Sequence, residues 1–195
     1  IENLSLGQRI YCNLLDKGTS LSILDTLSSQ DIMVEVFIQG KAYTEQRFLE
    51  NLPHYGTSKD YIPYVLSTRN PVNDIRSHIE QSPQNIENIN LKTADSTLRK
   101  RLWDELALMQ TVSITSSSSM NIEVSAVNTG KAQAIAHLCK VLGITMNAVM
   151  AIGDSLNDVM LLQQAGCSVA MENGVDEVKQ AADFITLYNE ADGVA

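Results

Sequence analysis

Residues 148–158 read AVMAIGDSLND, and this stretch decides the fold class. Its first five residues, Ala148–Ile152, form a continuous apolar run, which is typical of a strand buried on both faces of a parallel sheet. Gly153 allows a tight turn, and Leu156–Ala165 then has the pattern of a helix. Because ligands bind beyond the carboxyl ends of strands in such sheets, the polar residues after Gly153 are candidate site residues.

The segments on either side of this stretch continue the alternation of helices and strands. The pattern predicts helix Lys131–Leu142 ended by Gly143, strand Cys167–Met171, helix Val175–Ala182 and strand Phe184–Thr186. A helix between successive buried strands indicates a doubly wound parallel sheet from about residue 127 onwards.

The first part of the chain is organised differently and indicates an α+β arrangement with hairpins. The predicted elements are strand Asp31–Ile38 with a tight turn at 39–41, helix Ile75–Gln81, strand Asn88–Lys92, helix Ser96–Met109, and a hairpin of Val112–Thr115 with Asn121–Val124 around a serine run. Tyr55, Tyr61 and Tyr64 lie near prolines, and a hydrophobic satellite cluster is favoured over a substrate-facing surface for them.

Composition excludes several classes of protein. The chain has 195 residues, 44% of them hydrophobic, so it is globular. Its formal net charge of −9 argues against a broad nucleic-acid surface and against a polybasic membrane anchor. The apolar stretch 141–153 is too short and too polar to span a membrane. Three scattered cysteines fit a reducing compartment, so we expect a cytoplasmic protein.

Three oxygen-bearing side chains follow the strand Ala148–Ile152. Asp154 lies at its predicted carboxyl tip, and Asn157 and Asp158 lie in the first turn beyond. Two carboxylates without a basic neighbour in sequence are costly unless they share a cation, and hard oxygen ligands suit Mg²⁺. The alternative is an Asx turn before an acidic helix N-terminus, which fits Asp158 taken alone.

Lys131 begins the predicted helix Lys131–Leu142 after the segment Asn-Thr-Gly. A cation beside a helix N-terminus is an anion site in principle. Taken alone, this segment is better explained as an ordinary helix start with a solvated lysine.

Taken together, these motifs resemble the carboxy-terminal half of the Cof-type phosphatases of the haloacid dehalogenase (HAD) superfamily. The resemblance covers residues 123–195 and rests on Lys131, LGI (142–144), VMAIGDSLND (149–158), AGCSVAM (165–171), Asn173, AADFIT (181–186) and NEADGVA (189–195). It implies a Rossmann-type parallel core, of which this chain holds the C-terminal half, with an inserted α+β cap. The implied domains are a core-to-cap crossing at 1–15, the cap at 16–118 and the core at 119–195.

The resemblance also implies a reaction. Family members use an Asp nucleophile to take a phosphoryl group from the substrate, water then releases phosphate, and Mg²⁺ offsets charge on the transferred group. Carried over, Asp154 is the metal-binding acid and Asp158 its supporting partner, so both are expected catalytic and metal residues. Lys131, also catalytic, and Asn157 would contact the phosphoryl group or the nucleophile. The expected substrate is a small phosphorylated metabolite, possibly a sugar phosphate.

The sequence departs from the family at the nucleophile. The family carries it in an Asp-X-Asp motif on the first core strand, and these 195 residues contain no such triplet. We therefore expect the first core segment to be missing from this chain and the chain alone to be inactive. A non-catalytic HAD-like binding or interaction module is the alternative. A response-regulator-like receiver is disfavoured because the first half has no acid at a strand tip.

Two geometric expectations follow. The strand Ala148–Ile152 should have an unpaired side, which would favour association with another chain, for example as a homo-oligomer. Helix Lys131–Leu142 should run antiparallel to that strand, which brings Lys131 to its carboxyl tip, on the order of 4–8 Å from the Asp154 carboxylate. Without a bound metal, Asp158 is free to cap its own helix.

Overall fold

The computed structural model describes residues 1–3 and 5–194. Leu4 of the predicted 1–15 segment and Ala195, the last residue of the NEADGVA stretch, lie outside the described residues. The chain forms two compact units, Asn13–Val127, which we call the inserted unit, and Ile1–Cys12 with Asn128–Ala195, which we call the split unit.

The helices and strands follow one another along the chain in this order. The split unit begins with two short antiparallel strands, β1 (Glu2–Asn3) and β2 (Gln8–Arg9). The inserted unit contains α1 (Lys17–Thr26), β3 (Met33–Ile38), β4 (Lys41–Glu45), α2 (Gln46–Leu49), α3 (Ile62–Thr68), β5 (Arg69–Val72), α4 (Ile75–Gln81), β6 (Asn88–Lys92), α5 (Ser96–Ala107), β7 (Val112–Thr115) and β8 (Asn121–Ala126). The split unit resumes with α6 (Lys131–Leu142), β9 (Met150–Gly153), α7 (Val159–Gln164), β10 (Cys167–Ala170), α8 (Asp176–Ala181) and β11 (Phe184–Ile185).

The inserted unit is built on a six-stranded sheet in the order β5-β4-β3-β6-β8-β7. All its neighbouring strands are antiparallel except β4 and β5. Strand β8 pairs with both β6 and β7, so it belongs to this sheet. The division between the units therefore falls after Val127, whereas the sequence pattern placed it after residue 118. At the other end the inserted unit begins at Asn13, rather than at residue 16.

One face of this sheet carries the main hydrophobic core. Apolar side chains of α1, α4 and α5 pack there against alternate residues of β3, β6 and β8. On β6, for example, Ile89 and Leu91 are buried in this core, whereas Asn88, Asn90 and Lys92 lie on the opposite face. A strand with this alternation has one apolar and one polar face, as its sequence predicts.

The split unit contains a three-stranded parallel sheet in the order β11-β10-β9. Ala151, Leu162, Ala170 and Val178 form its core, in which α7 and α8 cover the sheet. Within the described residues no strand pairs with the outer edge of β9, so the predicted unpaired side is confirmed. The expectation of burial on both faces was wrong, because Met150 on this edge strand is 63% exposed.

No helix among the described residues is both long and apolar enough to cross a lipid bilayer.

Candidate active site

The candidate site begins where β9 ends, at Gly153. A Cβ atom at this position would lie 2.4 Å from Cβ of Asp158, closer than two such atoms can approach. Gly153 therefore lets the chain turn back over its own strand end, and the turn brings Asp158 against the strand.

Asp158 is buried and closes this turn. Its Oδ2 atom accepts hydrogen bonds from the backbone N–H groups of Asp154, at 3.0 Å, and Ser155, at 3.2 Å. The Ser155 side chain in turn accepts a hydrogen bond from the backbone N–H of Asp158. The two residues therefore form a capping box at the short 3-10 helix Leu156–Asp158. The expectation that Asp158 caps its own helix is confirmed.

Lys131 reaches the same turn from the first residue of α6. Its Nζ atom lies 2.5 Å from Oδ1 of Asp158 and 3.2 Å from Oδ1 of Asn157. The Lys131 side chain is half exposed, whereas Asp158 keeps only 7% of its side-chain surface. The predicted return of α6 to the carboxyl end of β9 is thus observed, although the lysine pairs with Asp158 rather than with Asp154.

Asp154 is the exposed carboxylate of the group. Its Oδ1 atom accepts a hydrogen bond of 3.2 Å from the Ser155 hydroxyl. Its backbone carbonyl accepts from the N–H of Val175 at 3.1 Å. At Gly174 a Cβ atom would lie 3.2 Å from Asp154 Cα, so the loop after β10 packs closely on this residue. The sequence analysis did not name Gly174 and Val175 as site residues; the signal was a glycine in the short segment between the second apolar strand and the next helix.

The donor set fits Mg²⁺ in part. Mg²⁺ is commonly bound by one or two carboxylates together with water and phosphate oxygens, and Asp154 offers one accessible carboxylate. Both oxygens of Asp158 already accept hydrogen bonds, from Lys131 and from two backbone groups, so the observed geometry does not present Asp158 as a metal ligand. Over residues 1–3 and 5–194, no three His, Cys, Asp or Glu side chains gather closely enough to hold a metal ion.

Comparison with known proteins shows which family the chain belongs to. The family model described as haloacid dehalogenase-like hydrolase matches residues 1–195. The chain belongs to this family. Its Rossmann-type parallel core and its assignment to a hydrolase family therefore confirm the resemblance noted in the sequence.

The individual relatives of this chain are named as phosphatases or as haloacid dehalogenase-like hydrolases. Phosphatase YwpJ of Bacillus subtilis (strain 168) is 30% identical over 208 residues, which cover 97% of the chain and 72% of YwpJ. The 5-amino-6-(5-phospho-D-ribitylamino)uracil phosphatase YcsE of the same organism is 48% identical over 101 residues, which are 52% of the chain and 41% of YcsE. The structure of a haloacid dehalogenase-like hydrolase from B. subtilis superimposes with a TM-score of 0.83 at 26% identity, covering 97% of this chain and 72% of that one.

Proposed function

We propose that the protein containing these residues is a Mg²⁺-dependent phosphatase that hydrolyses phosphomonoesters of small metabolites in the cytoplasm. One observation carries the proposal: Lys131, Asn157 and Asp158 are in contact beside the exposed Asp154, at the carboxyl end of a parallel strand. This arrangement places one cation and one accessible carboxylate where a phosphoryl group and its metal would bind.

Each residue has a distinct part in this proposal. The ammonium of Lys131 and the amide of Asn157 bind oxygens of the phosphoryl group, which carries negative charge throughout the transfer. Asp154 is the ligand for Mg²⁺, which when bound offsets that charge. Asp158, which the sequence analysis expected to bind the metal, is a positioning residue in this proposal. It orients Lys131 through the 2.5 Å ion pair and fixes the backbone of Asp154 and Ser155 through its hydrogen bonds.

The nucleophile in this proposal lies outside the 195 residues. An Asp carboxylate would take the phosphoryl group from the substrate oxygen, and water would then release phosphate from the acyl phosphate. The sequence has no Asp-X-Asp triplet, and β9 offers an edge beside which a further parallel strand could pair. The open edge of β9 supports a nucleophile on a neighbouring strand.

The name of one relative supports a substrate class. The name of YcsE states that it acts on 5-amino-6-(5-phospho-D-ribitylamino)uracil, a phosphorylated sugar alcohol joined to a ring. We infer that the substrate here is also a small organic phosphate, in which the phosphoryl group is carried by a sugar or sugar-alcohol group.

The test is phosphate release by the product of the complete reading frame that contains these residues, assayed with a panel of sugar phosphates and Mg²⁺. We expect turnover that falls by about 100-fold or more in Asp154→Asn and in Lys131→Met. Lys140→Met, at the other end of the same helix, is the matched control and should keep the parent rate. Circular dichroism verifies that each variant folds.

The alternative, a catalytically inactive HAD-like module, predicts no phosphate release from any member of the panel. It is favoured by the lack of an Asp-X-Asp triplet in this sequence. The reading frame upstream of Ile1 discriminates the two functions, because the phosphatase requires an apolar strand ending in Asp-X-Asp there.

A further inference from the structure

Helix α5 buries one face and exposes the opposite face. Leu102 and Leu106 are fully buried against the sheet of the inserted unit, and Trp103 packs against the same core. The exposed face consists of residues three and four positions apart, which are neighbours on a helix, so it forms one continuous stripe. Its members are Ser96, Thr97, Lys100, Arg101, Asp104, Glu105 and Leu108.

The order of charges along α5 works against the helix itself. The basic residues Arg99, Lys100 and Arg101 come before the acidic residues Asp104 and Glu105. The helix dipole favours the reverse order, with acids near the start and bases near the end. Lys100 donates to Asp104 at 2.9 Å, but a base placed four residues before an acid is the weaker orientation of such a pair. The stability of the isolated helix therefore does not explain this order.

The same order is complementary to a second, antiparallel copy of the helix. A two-fold axis that crosses α5 between residues 102 and 103 places Arg101 opposite the partner's Asp104. A two-fold contact repeats each pair, so two such pairs form. The same register places Thr97 opposite the partner's Leu108. With 3.6 residues per turn, these four residues fall within an arc of about 60° of the helix, so all of them face one partner.

The groups that would make these contacts are available. Arg101 donates to the Gln30 side chain at 2.6 Å, and a guanidinium has further N–H donors that can pair with a carboxylate in a bidentate manner. The Asp104 side chain keeps 63% of its surface although it pairs with Lys100. Leu108, which follows the last residue of α5, is 82% exposed. Covering this leucine would remove apolar surface from water.

We propose that the exposed face of α5 is a dimerisation surface and that its partner is a second copy of this chain, with the two α5 helices antiparallel. Two pairs of Arg101 with the partner's Asp104 form the centre of the contact. Leu108 packs on the partner's Thr97 at each end. The surface lies wholly within the inserted unit, is distinct from the edge of β9, and does not depend on phosphoryl transfer.

The length of the helix sets the strength of this dimer. Helix α5 has 12 residues, so its face is about 18 Å long. Stable interfaces between proteins bury roughly 1,200–2,000 Å² in total, and one helix face supplies only a part of this area. We therefore expect a weak dimer, with a dissociation constant on the order of 100 μM.

The experiment is sedimentation equilibrium of the 195-residue chain, with Met150→Lys in every sample so that the edge of β9 does not contribute to association. Arg101→Glu and Asp104→Arg should each weaken the dimer about tenfold or more, because like charges then face each other twice. An equimolar mixture of these two variants should dimerise again, because the new acid of one faces the new base of the other. Leu108→Ala should weaken the dimer without changing any charge.

Glu80→Arg is the matched control, because Glu80 is an exposed residue of α4 in the same unit. This variant should dimerise like the parent of the series, and circular dichroism verifies that every variant folds. The proposal is overturned if that parent stays monomeric up to about 1 mM. It is equally overturned if folded charge variants dimerise like the parent, or if their mixture associates no better than each alone. Should a charge variant fail to fold, unchanged dimerisation of Leu108→Ala overturns the proposal.

Discussion

Gly153 and Asp158 form a pair in which each residue depends on the other. The buried Asp158 carboxylate closes the turn by accepting two backbone N–H groups and holds Lys131 at 2.5 Å. This is possible only because Gly153 has no side chain where Asp158 lies. A substitution at a residue with no catalytic group should therefore disturb the whole site.

We predict that Gly153→Ala lowers the free energy of unfolding by about 1–3 kcal/mol, because the added methyl group overpacks against Asp158. Chemical denaturation measures this change. Gly130→Ala is the control: its backbone is extended, and the new Cβ would meet only the flexible end of Gln133. An equal loss in both variants would contradict the close approach of Gly153 and Asp158.

At the scale of elements, helix starts depend on single side chains. Asp16 caps α1 by accepting the backbone N–H of Thr19 at 2.9 Å and its hydroxyl at 2.6 Å. The hydroxyl contact is the largest cause that lowers the pKa of Asp16 below its ordinary value of 3.8. The cap therefore stabilises the folded state while Asp16 is ionised, and this stabilisation is lost as the pH falls through the lowered pKa.

We predict that Asp16→Ala costs about 0.5–2 kcal/mol at pH 7. The difference between the variant and the parent should shrink below pH 4, down to the part that the uncharged carboxyl of the parent still supplies as an acceptor. Urea denaturation from pH 2 to 7 measures it. Asp16→Asn keeps an acceptor without the charge, so it should retain much of the stability and lose this pH dependence.

The sequence pattern predicted the bounds of individual helices and strands better than it predicted which strands pair with one another. Helices α4 and α6 and strand β6 have the bounds that periodicity indicated, because their apolar spacing and stop signals are local. The turn between β3 and β4 was also predictable, and Gln39 and Gly40 both adopt positive φ there. Strand β8 extends to Ala126 because it pairs along β7, which the hairpin pattern alone did not reveal.

Sequence reasoning found the candidate site but missed the cavity of about 660 Å³ on the polar face of the inserted unit's sheet. The residues of the GDSLND turn are adjacent in sequence, so their convergence is visible there. Glu35, Arg69, Asn90 and Asn121 come together only through strand pairing, by contacts between residues 31 to 55 positions apart. Tyr55 packs in an apolar cluster with Phe48 and Leu52, as the sequence analysis favoured. Tyr61 instead lines the cavity.

At the scale of the whole molecule, the open edge of β9 is the feature from which we predict association. We predict that the 195-residue chain self-associates through this edge, because an exposed apolar strand edge can pair with another chain. Met150→Lys should shift sedimentation equilibrium towards the monomer. Met160→Lys, on α7 and 50% exposed, should not. A parent chain that is monomeric at all concentrations would contradict this role of the edge.

The central claim is that this chain supplies the phosphoryl-binding and metal-binding residues of a phosphatase while the nucleophile comes from outside it. The most direct measurement is release of phosphate from an aryl phosphate by the purified 195-residue chain in the presence of Mg²⁺. The account predicts a rate no faster than that of buffer alone. Steady Mg²⁺-dependent turnover that Asp154→Asn removes would contradict it, since one of the acids in this chain would then be the nucleophile.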